Sequence, residues 1–213
     1  MFHKNARGPK VAESTVRRLS LYLRFLEEFE GQGIATVSSG ALASRGGTTS
    51  AQVRKDLSFF GSFGKRGLGY PVPELADRLR EILGLKRRYR VGMIGAGKIG
   101  SALVQYRGFR QRGFDIIAIF DSDASKIGRQ WNGLTVMDIG SLERELAQQP
   151  IDMAVLVTPA EAAQPVADRL VALGVKAILN FAPVPLAVPD DVVVKTVNLA
   201  LELETLSYAL ASR

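Results

Sequence analysis

From Ser14 onward apolar residues recur three and four positions apart, at Val16, Leu19, Leu23, Leu26 and Phe29. That spacing predicts a helix with one buried face. Gly31 and Gly33 end it. Residues 1–13 carry no apolar period and are broken by Gly8 and Pro9, so they read as a mobile arm. Ser38 or Ser39 caps a short second helix around Ala41, Leu42 and Ala43. Thr49 stands three residues before Gln52, the spacing of a capping box. A third helix is therefore predicted from Ala51 to about Phe59, with Val53, Leu57 and Phe60 inward. Four glycines follow between Gly61 and Gly69. They suit turns with positive φ and predict a β-hairpin. A fourth helix runs from about Pro73 to Leu83, with Gly84 beyond its end.

After Tyr89 the period changes. Apolar strands are predicted at 90–94, 116–120, around Val136, and at 153–157, 177–179 and 192–196. Amphipathic helices at 98–106, 142–148 and 161–173 separate them, and an apolar helix from Leu199 to Leu210 closes the chain. Unbroken apolar strands alternating with helices predict a parallel sheet covered on both faces.

Charge divides the chain at the same place. Residues 1–90 hold 17 Lys/Arg against 8 Asp/Glu, and residues 91–213 hold 11 against 13. The whole surplus of +7 thus lies in the first part, with Lys86, Arg87, Arg88 and Arg90 crowding the linker. A basic module joined to a near-neutral one points to a polyanionic partner, or to a solvated basic face.

The composition narrows the chemistry. There is no cysteine, so thiolate metal sites, disulfides and a cysteine nucleophile are excluded. The single histidine is His3, which leaves no multi-histidine metal site. No apolar run approaches the roughly 20 residues of a membrane span, and the basic start lacks the apolar core of a signal peptide. A soluble cytoplasmic protein with no membrane and no metal partner is expected.

Gly95, Ala96, Gly97, Lys98, Ile99 and Gly100 form GxGxxG between a predicted strand and a predicted helix. Gly95 permits the tight turn, Gly97 lets backbone approach a pyrophosphate, and Gly100 lets helix and strand pack closely. Asp121 ends the second strand, 21 residues after Gly100, where a carboxylate grips the adenosine ribose of NAD or NADH. A glycine-rich turn without a ligand, or with another nucleotide, is the alternative. A dehydrogenase fits poorly. His3 is the one histidine, and no tyrosine is followed four residues later by lysine; Tyr106 has Arg110 there. The cofactor reads as a signal and the chain as a non-enzyme, although lysine or acid catalysts remain open at this point.

Three short helices, a glycine-rich hairpin and a basic surplus describe a winged helix-turn-helix. Its recognition helix would span Thr49–Phe60. Gln52 suits adenine, Arg54 suits guanine, and Lys55 a phosphate or base. Thr48, Thr49, Ser50 and Ser58 suit phosphates. Lys65 and Arg66 would stand at the wing tip. The alternative is that Arg54, Lys55 and Asp56 form a solvated helix face.

The segments QVRKDLSFFG (52–61), FGKRGLGY (63–70), VGMIGAG (91–97), YRGF (106–109), FDSD (120–123), PAEAAQ (159–164) and LNFAPV (179–184) resemble the Rex family of redox-sensing transcriptional repressors. The resemblance spans about residues 9–210. It implies an α/β chain with a winged helix-turn-helix domain (1–84), a Rossmann-type NAD(H)-binding domain (85–198) and a C-terminal helix (199–213) exchanged within a homodimer. It implies binding to a palindromic double-stranded operator, with release by NADH. Thr158, Pro159, Asn180, Phe181, Ala182 and Pro183 match loops that line the nicotinamide half of the site, and Tyr106 matches a tyrosine nearby. In some members an aspartate before the last helix pairs with an arginine on the partner's first helix. Arg24 matches that arginine, but the aspartate position holds Asn198.

Overall fold

The computed structural model describes residues 11–64 and 67–212. His3, Gly8, Pro9, Lys65 and Arg66 lie outside the described residues. The chain divides into two units, one up to Arg87 and one from Arg88.

The first unit holds α1 (Glu13–Gly31), β1 (Thr36–Val37), α2 (Ser39–Arg45), α3 (Ser50–Ser58), β2 (Tyr70–Pro71) and α4 (Val72–Ile82). Leu19, Tyr22, Leu23 and Leu26 on α1 pack with Leu42, Val53, Leu57, Leu75 and Leu79 in one core. Ser38 caps α2, its hydroxyl accepting from the Ala41 N–H. Gly47 takes a positive φ in the turn that leads to α3. The tip of the predicted hairpin, Lys65 and Arg66, lies outside the described residues, and its two sides come together where a Cβ on Gly64 would run into the Gly69 carbonyl. Among the described residues of this stretch Gly69 forms a single β-bridge and Tyr70 lies in β2, where its antiparallel partner is Val37 on β1, before α2. The four glycines do adopt positive φ. At Gly69 a Cβ would come within 2.5 Å of the Val37 carbonyl oxygen, so the crossing of the two strands requires glycine.

The second unit is built on β3 (Tyr89–Ile94), α5 (Lys98–Gln105), α6 (Arg107–Gln111), β4 (Phe114–Asp121), β5 (Gln130–Trp131), β6 (Leu134–Asp138), α7 (Leu142–Gln148), β7 (Met153–Leu156), α8 (Ala160–Ala172), β8 (Ala177–Asn180), β9 (Val193–Thr196) and α9 (Leu199–Ala211). The sheet order is β5-β6-β4-β3-β7-β8-β9. All pairs are parallel except β5 with β6. Without the edge ribbon β5 this is the doubly wound dinucleotide-binding order. The short α6 and β5 carry no period long enough to be predicted.

The expected cover on both faces is only partly realised. On one face α7 and α8 bury Leu142, Leu146, Val166 and Leu170 against Ile94, Phe120, Leu156 and Ile178. On the other, α5 puts Val104 with Met93, Ile119, Val136 and Val155. Beyond α5 an apolar groove of about 320 Å³ stays open, lined by Phe109, Phe114, Met153, Leu179, Val193 and Lys195 among others. β8 connects to β9 by a loop rather than a helix, and that loop lies on the α8 side, where Leu186 and Val188 pack. Every residue of α9 is exposed, including Leu199, Leu201, Leu203, Leu206 and Leu210. Among the described residues no helix is long and apolar enough to cross a membrane.

Candidate functional site

α3 starts where Thr49 Oγ1 accepts the Gln52 backbone N–H at 3.1 Å. The capping box closes on that side, while the Gln52 Nε2 donates to Asp56 Oδ1 at 2.8 Å. Ser50 and Gln52 are half-buried, and Arg54, Lys55 and Ser58 are exposed. Arg54 donates to Ser39 Oγ across the helix-turn-helix at 3.0 Å, and Ser58 Oγ donates to the Lys55 carbonyl at 2.8 Å. Arg54 and Lys55 therefore stand on the open flank, whereas the Ser58 hydroxyl turns back onto its own helix.

Asp56 overturns the alternative of a charged triplet on a solvated face, because it is fully buried. Arg18 donates to it through Nε at 2.6 Å and Nη2 at 2.7 Å, and Tyr22 Oη donates at 3.0 Å. Thr15 lies at 3.4 Å. Burial pushes the carboxyl up, but the bonds from Arg18, Gln52 and Tyr22 outweigh it and hold it below the ordinary carboxylate range. Tyr22 is pushed up to about 12, first by burial and then by its bond to Asp56. The available signal in the sequence was position: Asp56 lies on the inward stripe of Val53 and Leu57.

In the second unit the strand ladders end together. Gly95 N–H donates to Phe120 O, Val157 N–H to Ile94 O, and Phe181 N–H to Leu156 O, each at 2.8 Å. The loops after β3, β4, β7 and β8 thus leave one carboxyl edge, and chain order reverses between β3 and β7. Ligands of open α/β sheets bind at that crevice. Gly95 has φ +109°, and a Cβ there would lie 2.5 Å from the Val157 carbonyl oxygen. A Cβ on Gly100 would run into the Gly95 carbonyl, while one on Gly97 would meet nothing within 4 Å. Gly97 therefore faces open space at an α5 N-terminus that no side chain caps. The free N–H groups there favour an anion. Lys98 and Ile99 are exposed on the first turn of α5.

Asp121 is buried and anchors this loop. Its Oδ2 accepts from Ala96 N–H at 2.6 Å and Lys126 Nζ at 3.2 Å, and its Oδ1 accepts from Asp123 N–H at 2.8 Å. Burial opposes ionisation, but the N–H groups of Asp123 and Ala96, then Lys126, keep the carboxyl below its ordinary range. Three bonds leave acceptor capacity on a carboxylate for a ribose hydroxyl. Asp123, the last residue of the FDSD segment, and Lys126, which no motif announced, stand 3.4 Å apart beside Asp121.

Thr158 Oγ1 is buried and finds no hydrogen-bond partner among the described residues. Its backbone adjoins Gly95. Pro159 caps α8. Asn180 is fully buried and spends both ends on its own loop, accepting from Ala182 N–H and donating to Val184 O, each at 2.9 Å. It shapes the loop that carries half-buried Phe181, buried Ala182 and exposed Pro183. Tyr106 links α5 to α6, largely exposed, with its ring edge-on to Phe109 at 5.1 Å. Gly108 has no room for a Cβ beneath that ring. Asn198 Oδ1 caps α9, accepting from Ala200 N–H at 3.0 Å, and Arg24 is exposed on α1. Among the described residues no group of three His, Asp or Glu could hold a metal.

A family profile described as a CoA binding domain matches residues 86–184, and one described as a putative DNA-binding protein N-terminus matches residues 10–58. The chain is 50% identical to the redox-sensing transcriptional repressor Rex of Carboxydothermus hydrogenoformans, over 95% of this chain and 97% of that one. It is 49% identical to that of Syntrophomonas wolfei, over 95% and 96%. Among solved structures it is similar to RSP bound to NAD+ and operator DNA, at TM-score 0.91 and 41% identity, covering 96% of this chain and 94% of that one. The similarity extends to RSP bound to NADH, at TM-score 0.87 and 40% identity, covering 96% of both chains. RSP is described as a Rex-family repressor. With half of its residues identical to a full-length relative, and both units matched in order, the chain belongs to the Rex family of redox-sensing transcriptional repressors.

Proposed function

We propose that this chain is a cytoplasmic, non-enzymatic repressor that binds a palindromic operator as a homodimer and leaves it when NADH binds. The observation that carries the cofactor half is the buried, unpartnered Thr158 hydroxyl beside a glycine loop whose Gly97 faces open space. A buried polar group without a partner costs free energy that a ligand's polar atom recovers. The residues fit a dinucleotide: Gly95–Gly100 would take the pyrophosphate, Asp121 the adenosine ribose, and Thr158, Pro159, Phe181, Ala182 and Pro183 the nicotinamide half. Asn180 would hold that last loop in shape, and Tyr106 would stand near it. An apolar lining favours the neutral nicotinamide of NADH over the cationic ring of NAD+, since burying an unpaired cation is costly.

On the DNA side Arg54 and Lys55 would read bases with Gln52, and Ser50, Lys65 and Arg66 would hold phosphates, joined by Ser58 once its hydroxyl turns from the Lys55 carbonyl. A homodimer would place two recognition helices in successive major grooves, about 34 Å apart. The open apolar groove and the wholly exposed α9 are the surfaces such a dimer would cover. Arg24 and Asn198 would couple the sites by biasing one of two arrangements. The test is fluorescence anisotropy on a palindromic duplex, titrated with NADH and separately with NAD+. Release by NADH at far lower concentration than by NAD+ is expected. Binding that neither nucleotide moves would overturn the sensing half. Steady consumption of NADH with carbonyl acceptors would overturn the non-enzymatic one.

A further inference from the structure

The Gln52 side chain meets two demands at once. It is half-buried on the recognition helix, and its Nε2 is bound 2.8 Å from a fully buried carboxylate one turn later. An amide can normally present either end to DNA, because oxygen and nitrogen exchange places by rotation about one bond. Here the partner decides. A carboxylate only accepts, so the NH2 must face Asp56 and the Oε1 must face away. The N–H that serves Asp56 is the one trans to Oε1, because the cis N–H would bring Oε1 against the carboxylate. Oε1 and the cis N–H therefore remain side by side, pointing outward. That acceptor–donor pair is the complement of adenine N6–H and N7 in the major groove.

Resting on the DNA-reading function proposed above, we infer that Asp56 is a buried positioning residue that locks the Gln52 amide in the one orientation that reads adenine. Asp56 itself never meets DNA. Arg18 and Tyr22 on α1 hold the carboxylate in place, so the orientation of one base-reading amide is set by a helix that lies behind α3. A merely structural Gln52–Asp56 bond would tie one turn of α3 and carry no base preference.

The full chain is tested by anisotropy on a palindromic duplex and on single base-pair variants of it, including 7-deazaadenine at each adenine in turn. Wild type is expected to lose roughly tenfold at one adenine per half-site on replacement by another base, within the range for a bidentate pair. Part of that loss should appear with 7-deazaadenine, which lacks N7. Gln52→Met, which keeps the length and leaves Arg18 and Tyr22 on Asp56, should bind with no preference there. Asp56→Asn should bind with the preference blunted, because an amide partner accepts either orientation. If Asp56→Asn does not fold, wild type labelled at its glutamine side-chain nitrogens decides: one Gln52 amide proton should be protected from exchange in the free protein. Both Gln52 protons exchanging as fast as those of an exposed glutamine would overturn the inference. So would a base profile that Gln52→Met leaves unchanged. Failure of wild type to bind any duplex would instead remove the DNA-reading function, and this inference with it.

Discussion

Asp56 and Asp121 are both buried carboxylates held below their ordinary range, yet different chemistry holds them. Asp56 is fixed by side chains from a distant helix, chiefly the two-pronged Arg18. Asp121 is fixed by two backbone N–H groups and a lysine five residues away. The first arrangement welds α1 to α3 and leaves no room for a ligand. The second shapes a loop and keeps acceptor capacity for one. Burial and a depressed pKa are common to both, so neither marks a binding site by itself; the identity of the donors separates scaffold from site.

Removing the carboxylates should expose that difference. Asp56→Ala leaves the Arg18 guanidinium without its partner beside the core. Breaking a buried pair from one side costs about 3–5 kcal/mol, and Arg18, with 26% of its side chain exposed, belongs at the lower end. Urea unfolding should show a loss of about 3 kcal/mol in the first unit, with operator binding abolished and the second unit's transition unmoved. Asp121→Ala should cost less, about 1–2 kcal/mol for the N–H groups it orphans. It should weaken NADH at least tenfold while operator binding without nucleotide survives. Arg54→Ala should do the converse, relaxing base preference with NADH affinity intact. A variant that damaged both functions equally would break the separation of roles between the two units.

pH sharpens the same contrast. Both aspartates have folded pKa values below the ordinary 3.8. Their stabilisation is fully present above the unfolded value and is lost as pH falls through the folded one. Both units should therefore weaken below about pH 4, and neither between pH 6 and 8. The first unit carries a second limb. Tyr22 is raised from 10.0 to about 12, so its contribution is present below pH 10 and is lost as pH rises toward 12. Tyr22→Phe should cost about 1 kcal/mol at neutral pH and flatten that alkaline limb in denaturation curves.

The legibility of the two regions follows from the same physics. The glycine loop after β3 was readable because its requirements are steric and local: Gly95 and Gly100 have no room for a Cβ. Helix starts at Ser38 and Thr49 were readable for the same reason, since caps are satisfied within three residues. Asp56 was harder to read: its place on the inward stripe was the one local signal, while its partners on α1 lie 34 to 41 positions away. The glycine-rich stretch announced its turns but not that β2, at its end, pairs with a strand some thirty residues earlier. The open groove was invisible for a topological reason. A strand that is apolar throughout predicts cover on both faces, but not that the cover belongs to the same chain.

The smallest effect concerns Asn198. Its Oδ1 already accepts from Ala200 and Leu201 at the start of α9, so the oxygen that would receive Arg24 in the proposed switch is shared with the cap. Its remaining polar group only donates, as arginine does. Aspartate caps a helix about as well as asparagine, and it would add a second acceptor and a charge. Asn198→Asp should therefore change stability by less than about 0.5 kcal/mol. It should raise several-fold the ratio of operator affinity without NADH to operator affinity with it, a modest part of the usual coupling of about 1–3 kcal/mol. The effect should shrink in high salt, as an exposed ion pair does. Arg24→Ala, added to Asn198→Asp, should then erase the gain, while changing little when made alone. An additive outcome of the two substitutions would mean that these positions do not meet, and that coupling in this chain runs through other contacts.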